Sequence, residues 1–107
     1  MTPKEYMASL DAELKSDPER TSGLTDIFAF DISGENGGNW WIEANDGSGA
    51  VHEGTPDSCA LTVRMSDETM AAMAEGELDG TAAFFEGRMT VDGDQSKMAL
   101  LGQIFGQ

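Results

Sequence analysis

The spacing of the apolar residues alternates between a helical period and a strand period along this chain, and this alternation limits the folds that the chain can adopt. Near the start, Met7, Leu10 and Leu14 recur at the three-to-four-residue period of a helix. Between residues 24 and 65, apolar and polar residues alternate, which is typical of strands with one buried face. Helical spacing returns at residue 66. The pattern predicts an α+β domain.

The segments can be placed by their turn and capping residues. Helices are predicted at residues 4–16, 66–75, 79–85 and 94–105, and strands at residues 24–33, 40–44, 50–53, 59–65 and 89–91. Short Gly-rich turns join the first three strands, so these strands should pair antiparallel. The predicted order is α-β-β-β-β-α-α-β-α. In the second strand, Trp40 shares a face with Ile42 and Ala44, so we expect Trp40 to be more buried than Trp41.

The charge and the length exclude several kinds of protein. The 107 residues are enough for a single domain, and 6 basic against 20 acidic residues give a net charge of −14. Such a charge opposes binding to nucleic acid and stable association with anionic membranes. One Cys and one His cannot form a disulfide or a zinc site of those ligands, so no metal and no cofactor are expected. Without a leader or a spanning segment, a cytoplasmic protein is expected.

Residues that could carry out catalysis are few. The sequence has no phosphate-binding loop, dinucleotide fingerprint or nucleophile elbow. His52 is interpreted as an exposed strand residue, and Cys59 as a small buried side chain in phase with Leu61 and Val63. The seven methionines leave two interpretations open, because thioether side chains suit both an adaptable ligand-binding wall and an ordinary core. No catalytic residue is predicted.

A longer motif makes the prediction more specific. Residues 76–94 read G-E-L-D-G-T-A-A-F-F-E-G-R-M-T-V-D-G-D, which resembles the signature of the sterol carrier protein 2 (SCP-2) sterol-transfer family. Upstream, residues 28–32, the Trp40-x-Ile42 strand, the Asp46-Gly47 turn and residues 57–63 follow the family pattern in order. The resemblance covers about residues 24–105. Gly80 departs from it, because the family usually has Pro there.

The resemblance implies a five-stranded, mainly antiparallel and twisted sheet with helices on one face, and a hydrophobic tunnel between the two layers. Carried over to this chain, the resemblance implies a non-enzymatic, intracellular lipid-binding or lipid-transfer protein for a sterol, a fatty acid or a similar ligand. It could act as a monomer or as a homodimer. The implied lipid-binding residues are Trp40, Ile42, Met70, Met73, Phe84, Phe85, Met98, Leu101, Ile104 and Phe105.

Two alternatives remain at this stage. The domain could be an accessory or protein-interaction module with a collapsed tunnel. It could also be a lipid-handling hydrolase, which would require a polar cluster around His52 that opens on the tunnel.

Overall fold

The computed structural model describes residues 2–105, which form one sheet and four α-helices. The helices are α1 (Pro3–Ser16), α2 (Asp67–Ala74), α3 (Gly80–Phe85) and α4 (Met98–Phe105). The strands are β1 (Ile27–Ser33), β2 (Gly38–Asn45), β3 (Ser48–Glu53), β4 (Leu61–Ser66) and β5 (Met89–Gly93). Two short 3-10 helices lie at Pro18–Arg20 and Gln95–Lys97. No helix within residues 2–105 has both the length and the apolar character needed to cross a membrane.

The five strands form a mixed sheet in the order β3-β2-β1-β4-β5. The pairs β1/β2, β2/β3 and β4/β5 are antiparallel, and β1/β4 is parallel. Short turns allow the first three strands to pair with their neighbours in sequence, whereas residues 54–60 carry the chain to the far side of β1. The predicted α+β class, element order and mainly antiparallel sheet are therefore confirmed.

The inner face of the sheet is apolar and carries all the helices. In the central register, Phe30 on β1 lies between Trp40 on β2 and Val63 on β4, and all three side chains are buried. Trp40 is 7% exposed, whereas Trp41 lies on the outer face and is only partly buried. The expected difference between the two tryptophans is confirmed. The outer face carries a charge network in which Arg64 pairs with acidic side chains of β1 and β5.

The helices divide the inner face into two halves. Helix α1 packs on β3 and β2 and inserts Met7, Leu10 and Leu14 into the core. The Oδ1 atom of Asp11 accepts a hydrogen bond from the backbone N–H of Val51 at 2.8 Å, which ties α1 to the edge strand β3. Helices α2 and α3 cover β1, β4 and β5 instead. Because α1 covers β2 and β3, a cavity between the sheet and the helices can lie only beneath α2, α3 and α4.

The prediction for Cys59 is wrong, because its side chain is exposed. Strand β4 begins only at Leu61. The backbone N–H of Ala60 donates to the carbonyl of Ile27 at 2.8 Å, and residue 59 lies before the regular ladder. The alternation of apolar residues therefore continues in the sequence for one step beyond the end of the strand. The first strand is also shorter than predicted, because β1 begins at Ile27 rather than at residue 24.

The last helix differs in form from the prediction. The Oδ1 atom of Asp94 accepts a hydrogen bond from the backbone N–H of Ser96 at 3.1 Å, as expected of an N-cap. The residues that follow first form the 3-10 helix Gln95–Lys97, and α4 begins at Met98. A 3-10 turn at the start of an α-helix is a common geometry.

Candidate functional site

A cavity of about 480 Å³ lies between the sheet and the later helices. Its floor is the inner face of β1, β4 and β5, which contributes Phe30, Val63, Met65 and Met89. A volume of this size falls within the range that is typical of small-molecule sites, roughly 300–1,000 Å³. The cavity is therefore large enough to hold a ligand.

Three helices and one residue of α1 form the rest of the wall. Helix α2 contributes Met70 and Met73, and α1 contributes Tyr6. The lining from the last two helices consists of Gly80, Thr81, Phe84, Phe85, Met98, Ala99, Leu101, Gly102 and Phe105. Five methionines therefore line one cavity, and their flexible side chains can adapt to ligands of different shapes.

The wall is uncharged throughout the part of the chain that the structure describes. Its polar side-chain groups are the hydroxyls of Tyr6 and Thr81. Burial raises the pKa of Tyr6, and the nearby carboxylate of Glu13 raises it further, against a smaller opposite effect of Arg20. The phenol therefore stays neutral and can donate or accept a hydrogen bond.

Local contacts hold α3 and α4 over the cavity. Asp79 caps α3 by accepting a hydrogen bond from the backbone N–H of Ala82 at 2.7 Å. On α4, the Phe105 ring stacks on Tyr6 at 6.1 Å and meets the edge of Phe30 at 6.0 Å. The Nε2 atom of Gln103 donates to two backbone carbonyls of the loop after α1, each at 3.0 Å. Ring packing and the hydrogen bonds of Gln103 therefore hold helix α4 against the loop after α1 and over the cavity.

Phe85 marks the mouth of the cavity. It belongs to the cavity wall, and yet 81% of the residue is exposed. Its ring contacts Phe84 edge-on, with 5.8 Å between the ring centroids. A large apolar side chain at an opening suits the entry of an apolar ligand.

The structure brings seven of the ten predicted lipid-binding residues to this wall. These are Met70, Met73, Phe84, Phe85, Met98, Leu101 and Phe105. Trp40 and Ile42 lie on β2, in the half of the inner face that α1 covers, and they do not line the cavity. Ile104 is fully buried in the core and is also outside the wall. One helical step, about 100°, separates it from Phe105.

Sequence reasoning missed several wall residues. Phe30, Val63 and Met65 share the inner face with residues whose burial was correctly predicted, and Met89 shows the same alternation on β5. This signal identifies the face, but it does not tell which half of the face the helices leave open. Tyr6 lies beside the helical stripe of α1, and no local feature separated it from the core.

His52 lies away from the cavity. It sits on β3, with its Nε2 atom 3.2 Å from Oε1 of Glu43 and its ring stacked on Trp41 at 4.2 Å. This cluster belongs to the outer face of the sheet, whereas the cavity belongs to the inner face. Within residues 2–105, no group of three or more His, Cys, Asp or Glu side chains is arranged to hold a metal ion. The polar cluster that a hydrolase would require does not open on the cavity.

These features define an α+β domain with a ligand-sized apolar cavity between its sheet and its helices. The chain belongs to the SCP-2 sterol transfer family, whose model matches residues 7–106. Among related proteins, hydroxysteroid dehydrogenase-like protein 2 from Xenopus tropicalis is 33% identical over 82 residues, which are 76% of this chain and 20% of that protein. The chain thus spans about a fifth of the length of this relative.

Solved structures agree with the fold. The solution structure of palmitated SCP2L2 from Aedes aegypti has a TM-score of 0.84 and 20% identity, and the match covers 100% of this chain and 96% of that one. The sterol carrier protein domain 2 of Helicoverpa armigera has a TM-score of 0.77 and 27% identity, with 96% and 87% covered. Both likenesses support the mixed sheet with helices on one face.

Proposed function

We propose that this protein is a non-enzymatic lipid carrier that holds the hydrocarbon chain of a long-chain lipid in the cavity beneath α2, α3 and α4. The observation that carries the proposal is the cavity itself, about 480 Å³ with an uncharged wall of mainly apolar residues. Two similar structures support it, because the SCP2L2 protein is palmitated and the SCP-2 protein of Aedes aegypti is in complex with palmitate.

Burial of hydrocarbon is sufficient as a mechanism. Each methylene group removed from water contributes about 0.8 kcal/mol. A chain of about 12 methylenes would gain roughly 10 kcal/mol before the costs of association and ordering. No proton transfer and no bond cleavage are needed for such a step. In this proposal the wall residues bind the chain by contact, and the two wall hydroxyls are available to one polar head group.

A role inside a larger assembly is the second candidate. The curated relatives are about five times the length of their match with this chain, and they are named for a dehydrogenase. If this domain is part of such a larger protein, it would present a lipid to the active site of another domain. The cavity volume favours a domain that takes up ligand over a module with a collapsed interior.

The direct test is to identify and then replace the bound lipid. The protein is purified from cells, its organic extract is examined by mass spectrometry, and the delipidated protein is titrated with Nile red, an uncharged fluorescent dye. We expect one saturable dye site and displacement of the dye by hexadecanol or by palmitate. Failure of both ligands to displace the dye from folded protein would contradict the proposal.

A further inference from the structure

The charges around the cavity restrict the head group that a ligand can carry. None of the 16 wall residues is ionisable except Tyr6, whose phenol stays neutral. Within the described residues, an anionic head group would therefore find hydroxyls in the wall but no cation. An alcohol or a carbonyl group can pair with such hydroxyls without leaving a buried charge unpaired.

The basic residues of the chain are engaged elsewhere. Five of the six lie within 4 Å of a carboxylate: Lys15, Arg20, Arg64, Arg88 and Lys97. The sixth, Lys4, lies in a separate surface depression beside Trp40 and Glu53. None of the six belongs to the cavity wall. A carboxylate ligand in the cavity would therefore meet no cation in the wall, and five of the six basic side chains already lie beside a carboxylate of the protein.

The segment that bears the mouth is acidic. Residues 67–86, which run from the start of α2 through α3, contain six acidic residues and no Lys or Arg. The next basic residue, Arg88, has its Nε atom 3.6 Å from Oε1 of Glu86. In water, each carboxylate at about 10 Å from a carboxylate head group weakens its binding about twofold. Several such charges together would disfavour an anionic ligand about tenfold at low ionic strength.

We propose that the cavity selects lipids with an uncharged head group, such as long-chain alcohols or esters, over fatty-acid anions and acyl-CoA. The inference rests on the proposed function and adds the ligand class to it. The alkyl body gains the same contacts in either case, so the head group alone decides the preference. The selectivity therefore depends on ionic strength, because dissolved salt screens the acidic mouth.

The test compares two ligands of equal chain length, dodecanol and laurate, as competitors for bound Nile red near pH 7. We expect dodecanol to displace the dye at about tenfold lower concentration in low salt, with a smaller ratio in high salt. The variant Thr81→Lys places a cation in the wall and should improve laurate binding about fivefold relative to dodecanol. The matched variant Thr90→Lys adds the same charge on the outer face and should change the ratio less than twofold.

The possible results of this competition experiment distinguish failure of the head-group inference from failure of the proposed function. Laurate that binds folded wild-type protein as tightly as dodecanol would overturn the head-group inference and leave lipid binding intact. Equal effects of the two lysine variants would also overturn it, because the net charge and not the mouth would then set the preference. If neither ligand displaces the dye, the proposed function itself fails.

Discussion

Filling the floor of the cavity should shorten the longest chain that the protein accommodates. Val63 is 1% exposed, lies between Phe30 and Val91 in the sheet, and belongs to the cavity wall. The variant Val63→Phe keeps a residue that favours strands and extends its ring into the cavity. The matched variant Thr90→Phe places the same ring on the outer face, where residue 90 is exposed.

The expected effect follows from the volume. A carbon group takes up about the room of one water molecule, roughly 30 Å³, so a cavity of about 480 Å³ accommodates roughly 16 of them. The side chain of Phe has about four more carbons than that of Val, which leaves room for roughly 12. Four excluded methylenes at about 0.8 kcal/mol each weaken hexadecanol by about 3 kcal/mol, or roughly 200-fold.

The assay is displacement of Nile red by straight-chain alcohols from octanol to hexadecanol. For the wild type, the Kd should fall about fourfold with each added carbon until the cavity is full. For Val63→Phe, the affinity should stop improving about four carbons earlier, near dodecanol. Thr90→Phe should behave as the wild type, and circular dichroism checks that both variants fold. A folded Val63→Phe protein whose affinity still rises to hexadecanol would refute this account of the cavity.

Three further predictions concern the sheet and the helices around it. Acrylamide should quench Trp41→Phe, which retains only Trp40, less than Trp40→Phe, and the reverse order would contradict the sheet register. Burial disfavours ionisation of Asp11, but hydrogen bonds from Lys15 and from the backbone of Val51 outweigh it, so its pKa is lowered. The stability that Asp11 adds is therefore present at neutral pH and is lost as pH falls through the lowered pKa. Asp11→Ala should reduce the free energy of unfolding by about 1–2 kcal/mol at neutral pH and by less at a pH below the lowered pKa, as urea titrations at neutral and at acidic pH can check. Finally, dodecanol should slow amide exchange in α4 more than in β4, because side-chain packing anchors α4 and a ligand adds to that packing; equal slowing in both elements would argue against α4 as the cover of the cavity.

The sequence predicted the elements well because their signals are local. The stripe Met7, Leu10 and Leu14 predicts α1, and the alternation around Phe28 and Phe30 predicts the buried face of β1. Turn and capping residues supplied most boundaries. Cys59 is an exception. Alternation in the sequence reflects only the polarity of successive residues, whereas backbone hydrogen bonding decides where a strand begins.

The candidate site was only partly predictable, since the cavity depends on how the helices divide the sheet. Trp40 and Val63 are both inward-facing and buried, and nothing in their local sequence distinguishes them. Helix α1 covers the half that contains Trp40, and α2, α3 and α4 leave space over the half that contains Val63. This division arises from long-range packing. The motif around Phe84 and Phe85 still identified two residues of the cavity wall, because it is continuous in sequence.

The methionine methyl groups offer the most direct test of a ligand in the cavity. Met65, Met70, Met73, Met89 and Met98 line the cavity, whereas Met7 on α1 is buried in the core and does not line it. The measurement is an NMR spectrum of protein with ¹³C-labelled methionine methyl groups and bound dodecanol, recorded to detect nuclear Overhauser effects between ligand and protein. The account predicts contacts from the alkyl chain to several of the five wall methyls and none to Met7. Contacts to Met7 alone, or saturable binding without contact to any wall methyl, would contradict it.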